Sequence, residues 1–128
     1  MNIFISYTLR DEEVTFDYLK TVSNIVSEYG QPFVDVFDNQ ATDKQKFVMD
    51  TLDSSDLVVL ISTSSITKSQ WVQTEVDRAK KNKTPIIRIS LTSNYDNSLK
   101  NLRNELDAVA PKANKRFKTD SQRSAVLV

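Results

Sequence analysis

The chain has 128 residues, with 17 basic and 17 acidic side chains and neither histidine nor cysteine. That length suits one domain around one core, and a net charge of zero gives no bulk attraction to nucleic acid. Without imidazole or thiol, the usual zinc sites, a thiol nucleophile and the commonest general base are excluded, so any catalysis must run on carboxylates, hydroxyls or cations.

Residues 2–7 form the first predicted strand, short and rich in β-branched and aromatic side chains. A helix follows in which Val14, Tyr18, Leu19, Val22, Ile25, Val26 and Tyr29 recur at helical spacing, with Asp11, Glu12 and Glu13 expected on its first turn, where negative charge suits the dipole. Gly30, the only glycine, is expected to stop it. The second strand is placed at 33–37, and a shorter helix carrying Phe47, Val48 and Leu52 ends near Ser54-Ser55-Asp56. The third strand, 57–62, is uniformly apolar from Leu57 to Ile61, as a central strand covered on both faces should be. Beyond it, Ser69-Gln70-Trp71-Val72-Gln73-Thr74-Glu75 reads as a helix start, with Trp71 and Glu75 four apart on one face. Val72, Val76 and Ala79 turn inward from this helix, which ends in Lys80-Lys81-Asn82-Lys83 before Pro85. A fourth strand at 86–91 and a helix carrying Leu99, Leu102, Leu106 and Val109, opened by Asp96-Asn97-Ser98, complete the pattern. The ordered domain is expected over 1–110, with 111–128 a basic tail, final helix or linker.

This alternation predicts an α/β fold of flavodoxin-like, doubly wound type, a parallel sheet of four to five strands with helices on both faces. Ligands in such sheets bind at the carboxyl ends of the strands. The residues there are Ser6, Tyr7, Thr8 and Arg10 after the first strand, Asp38 and Asn39 after the second, 62–65 after the third and 92–94 after the fourth. Arg10 carries the planar fork that matches phosphate oxygens. A single glycine cannot build the G-x-G-x-x-G turn of a dinucleotide fold or a G-x-x-x-x-G-K-[ST] phosphate loop. A phosphorelay receiver needs an aspartate at the end of the third strand, where this chain has Ile61-Ser62-Thr63.

Charge divides along the chain: four basic against eleven acidic residues through Ser64, and thirteen against six from Ser65 onward. Opposite poles favour head-to-tail association of copies. The basic tail has Phe117 as its lone aromatic, so a nucleic-acid role is not expected. No apolar run approaches the roughly 20 residues of a membrane span, and no basic-then-apolar leader is visible, so a cytoplasmic location without membrane contact is expected.

Three blocks in order resemble the Toll/interleukin-1 receptor (TIR) domain family, especially its bacterial branch. They are Ile3-Phe4-Ile5-Ser6-Tyr7 followed by Asp11; Phe33-Val34-Asp35 after a glycine turn; and the apolar strand leading to Ser69-Gln70-Trp71-Val72-Gln73-Thr74-Glu75, similar to S-x-W-C-x-x-E with Val72 in place of the cysteine. The loop from Val36 to Thr42 departs from the family in lacking a glycine or proline. The resemblance implies an enzyme that takes NAD as substrate, needs no cofactor or metal, and hydrolyses the nicotinamide-ribose bond or cyclises the product, in bacterial anti-phage signalling. Glu75 is the implied catalytic carboxylate, with Ser6, Tyr7, Arg10, Asp35, Phe37, Asp38 and Trp71 as substrate-binding candidates and a homo-oligomer as the working form. Two other readings stand beside it: a non-catalytic adaptor that signals by self-association, and a nucleoside deoxyribosyltransferase-like enzyme with the same sheet and a glutamate.

Overall fold

The computed structural model describes residues 1–92 and 94–109. The predicted tail, 111–128, lies outside the described residues. Four parallel strands, β1 (Asn2–Ser6), β2 (Gln31–Val34), β3 (Leu57–Ser62) and β4 (Ile86–Ser90), lie in the order β2-β1-β3-β4. Helices α1 (Phe16–Val26), α2 (Asp35–Asp38), α3 (Lys44–Asp53), α4 (Gln70–Lys81) and α5 (Tyr95–Val109) connect and flank them, with a 3₁₀ turn at Ile66–Lys68. The architecture is the expected doubly wound α/β sheet, with four strands among the described residues and with β1 and β3 at its centre.

The period of two along the strands sorts the core. Ile3, Ile5, Leu57, Val59 and Ile61 face α1 and α5, packing with Leu19, Val22, Val26, Leu102 and Leu106. Phe4, Val58 and Leu60 face the other way, against Val48 and Leu52 of α3 and Val72, Val76 and Ala79 of α4. Tyr18 and Ser98 share a buried 2.6 Å hydrogen bond between α1 and α5, and a bidentate Arg78–Asp53 pair joins α4 to α3 on the surface. Val109, placed on the apolar stripe by its spacing, is exposed. Among the described residues, no helix is long and apolar enough to cross a membrane.

Three local expectations are corrected. The second strand is not 33–37: it spans Gln31–Val34, and the chain then coils into α2. Asp38 causes the break, because its Oδ2 accepts the Val34 amide at 2.7 Å and holds the following turn closed against the ladder. Asp35 is therefore the first residue of a helical turn, not a strand residue. Pro32 is tolerated because β2 is an edge strand.

Helix α1 begins at Phe16, not at the acidic triplet, because Thr15 caps it by accepting the Tyr18 amide at 3.1 Å. Asp11 is used elsewhere. Its carboxylate accepts from Ser64 Oγ, Ser65 N and Ser65 Oγ at 3.2, 3.0 and 2.7 Å, tying the loop after β1 to the loop after β3. Its pKa is lowered to about 2, by the Thr63 hydroxyl first and then by Ser65. Thr63 Oγ1 favours the ionised form electrostatically but makes no hydrogen bond of acceptable geometry, so Ser64 and Ser65 are what hold the loop.

Gly30 does not supply a left-handed residue, since no glycine here has positive φ. It supplies space: a Cβ would lie 2.5 Å from the Met1 carbonyl oxygen, which accepts the Gln31 amide at 2.8 Å. The left-handed stop belongs to Lys83, φ 60°, at the end of α4. There the Lys83 amide bonds to Lys80 O and the Thr84 amide to Ala79 O, the paired bonds of a Schellman ending.

Two substitutions separate these roles. Gly30→Ala should lower stability by about 1–3 kcal/mol through displacement of the Met1 backbone, whereas Lys83→Gly should raise it by about 1 kcal/mol. Urea unfolding of both variants checks the opposite signs.

Candidate functional site

The Glu75 side chain is under the sheet because two periodicities meet. Val72, Val76 and Ala79 define the inward stripe of α4, and Glu75 lies on that stripe, 4 % exposed. Ser6 follows Phe4 by two along β1 and so faces the same layer. Ser6 Oγ donates to Glu75 Oε1 at 2.7 Å, wholly buried. Ser69 Oγ caps α4 by accepting the Val72 amide at 3.2 Å, which fixes where the helix begins and hence the depth of Glu75.

Burial is the largest influence on this carboxylate and raises its pKa from 4.5 to about 7. The Ser6 hydroxyl acts in the opposite sense and the negative field of Asp35 adds to the rise. Tyr7 is pushed up to about 12, mainly by burial, and its hydroxyl oxygen accepts the Val36 amide at 3.0 Å. That bond pins α2 against the end of β1.

A cleft of about 290 Å³ opens over Glu75, lined by Tyr7, Thr8 and Leu9 after β1, Asp35 and Val36 of α2, and Ser69 and Trp71 of α4. It lies at the carboxyl ends of the strands, beside the point between β1 and β3 where the connection from β1 runs to β2 on one side and that from β3 runs to β4 on the other. Trp71 is 37 % exposed and serves as a wall, not as core. The fold thus gathers Tyr7, Asp35, Trp71 and Glu75 around one space, with Ser6 beneath it.

Three predicted residues are elsewhere. Arg10 is exposed and lines no part of this cleft. Phe37 turns to the opposite face, packing on the α1 side with its ring 6.2 Å from Phe16 and Lys20 Nζ 5.7 Å from its centroid. Asp38 is committed to the Val34 amide. The helical turn at α2 explains both misplacements, because it replaces alternation by a rotation of roughly 100° per residue.

Asn39, expected at the carboxyl end of the second strand but not among the substrate-binding candidates, organises the loop beside the cleft. It is buried, donates from Nδ2 to Asp35 Oδ1 at 2.7 Å and to Lys44 O at 3.2 Å, and accepts from the Ala41 amide at 3.1 Å. Its place after the second strand and its spacing of four from Asp35 are the sequence signals for it. Among the described residues, no group of histidine, cysteine, aspartate or glutamate is arranged to hold a metal.

The model of one protein family, described as Thoeris protein ThsB, TIR-like domain, matches residues 4–96 of the chain. That span includes every residue of the cleft. No curated protein matches the chain.

Glu75 should leave a pH signature on stability. Its native pKa is raised, so between about pH 4.5 and 7 the native state keeps a proton that the unfolded chain loses. Stability therefore falls as pH rises through that window, by an amount on the order of 3 kcal/mol once pH exceeds 7. Glu75→Gln retains an acceptor for Ser6 and removes this dependence. Its unfolding free energy relative to wild type should grow from pH 5 to pH 8, as measured by urea titration.

Proposed function

The chain belongs to the family of TIR-like domains of the Thoeris anti-phage system, and from that premise we propose that it cleaves NAD at the nicotinamide-ribose bond. The observation that carries the reading is Glu75: one buried carboxylate, bonded to Ser6, at the floor of a cleft walled by an exposed indole. The bound pyridinium is cationic and leaves as neutral nicotinamide, taking the electron pair of the C1′–N1 bond. No general acid is required, unlike an ordinary glycoside, where one of two carboxylates must protonate the leaving oxygen. The lack of histidine and cysteine is no obstacle to such chemistry.

Glu75 holds a ribose hydroxyl and stabilises the positive charge that grows on the ribose as the bond breaks. Water, or a nucleophile within the same molecule, then adds to C1′ and loses a proton, giving linear or cyclic product. A cationic substrate lowers the Glu75 pKa on arrival, so binding itself restores the ionised form.

Association of copies is a second element of the proposal. Leu9, Val36 and Trp71 leave an exposed apolar rim around the cleft. Glu12 and its neighbours follow β1 at the carboxyl end of the sheet, while Lys80, Lys81 and Lys83 end α4 at the opposite end. A head-to-tail stack would place unlike charges together.

Wild-type protein at high concentration should consume NAD with release of nicotinamide, and Glu75→Ala should lower the rate at least a hundredfold while remaining folded. Mass spectrometry of the products distinguishes hydrolysis from cyclisation. A folded wild type that leaves NAD intact would favour the adaptor reading, and cleavage of nucleosides in its place would favour the transferase.

The pH profile supplies an independent check. The free enzyme needs Glu75 ionised, so kcat/KM should rise about tenfold per pH unit below about pH 7 and level off above it. Ser6→Ala removes the hydroxyl that favours the ionised form, and its inflection should move to higher pH.

A further inference from the structure

We propose, resting on the NAD reading above, that a shallow pocket across Trp71 from Glu75 receives the diphosphate of the dinucleotide, with Lys44 as its cation. Among the described residues, the cleft over Glu75 is lined by two carboxylates, Glu75 and Asp35, and by no cation. That charge suits a pyridinium and repels a diphosphate. A substrate with both must send its anionic part elsewhere.

The adjoining pocket, about 260 Å³, shares the Asp35 and Trp71 walls and adds Lys44, Gln45 and Val48. Among the described residues, Lys44 is the one cation in the two linings together. It is the first residue of α3, directly after the cap Asp43, and its Nζ donates to Asn39 O at 2.9 Å. An ammonium has three hydrogens, so two remain for phosphate oxygens. Asn39 is itself buried and fixed by Asp35, so the contact holds the ammonium at the pocket and reduces the entropy lost on binding.

The order of charges along the surface matches the order along the ligand. Carboxylates meet the cationic pyridinium and its ribose, the indole forms the shared wall, and the ammonium meets the diphosphate beyond.

Trp71 is the only tryptophan and borders both pockets, so its fluorescence reports occupancy without turnover. The test titrates ADP-ribose, which keeps the diphosphate and lacks the scissile bond, into the full chain and its Lys44→Gln and Lys44→Arg variants, with melting temperatures as the fold control. Lys44→Gln should weaken binding about tenfold or more and flatten its salt dependence, while Lys44→Arg stays within about threefold of wild type. Equal affinity in wild type and Lys44→Gln overturns the proposal. So does a loss in Lys44→Gln that leaves the salt dependence unchanged, since that marks a structural role through Asn39. Failure of the wild type to bind ADP-ribose while it still cleaves NAD overturns the subsite and leaves the cleavage reading intact. Lys44-dependent binding in a protein that leaves NAD intact keeps the subsite and removes the cleavage reading.

Discussion

A carboxylate with 4 % of its surface exposed must find a partner or give up its charge, and Glu75 does some of each. One oxygen takes the Ser6 hydroxyl, and burial raises the pKa to about 7. Both depend on α4 lying flat over β1 and β3 with its amino end at the carboxyl edge of the sheet. The apolar contacts of Val72, Val76 and Ala79 hold the helix down, the Ser69 cap sets its start, and the Arg78–Asp53 pair braces it against α3. Packing on this face therefore sets the protonation state of the group at the cleft floor.

The elements read most directly from the sequence were those whose pattern answers to burial alone. Strand β3 is apolar at every position from Leu57 to Ile61 because both faces are covered, and α3 and α4 announce themselves by spacing. What escaped was decided by side chains competing with the backbone. Asp38 captures the Val34 amide and turns an expected strand into α2, and Thr15 draws the start of α1 past three acids. Gly30 was legible as necessary, but its reason was not: the constraint is the Met1 carbonyl, distant in sequence and adjacent only after β1 and β2 pair.

The same distinction divides the cleft. Ser6 and Glu75 follow from phase, one on the Phe4 face of a strand and one on the Val72–Val76 stripe of a helix, so their meeting could be read in advance. Phe37 and Asp38 are candidates by the resemblance and by the end of a strand expected over 33–37; the chain coils there instead, and both end on other surfaces. Arg10 follows the first strand and carries the fork that suits phosphate, but it is exposed and lines no part of the cleft, so position along the chain and chemistry together do not bring a side chain there. Asn39 is the reverse case, a residue of ordinary chemistry whose importance comes from three contacts the loop creates.

A carboxylate poised near neutrality also fits one class of ligand better than others. The proton on Glu75 spares the protein a buried, uncompensated charge, with Asp35 already contributing negative field. A neutral ligand would leave that balance as it stands. A cation entering the cleft reverses it, because the new charge compensates both carboxylates in a medium that screens poorly, and the proton departs as the ligand binds. Ionisation of Glu75 is then coupled to the arrival of a positively charged group.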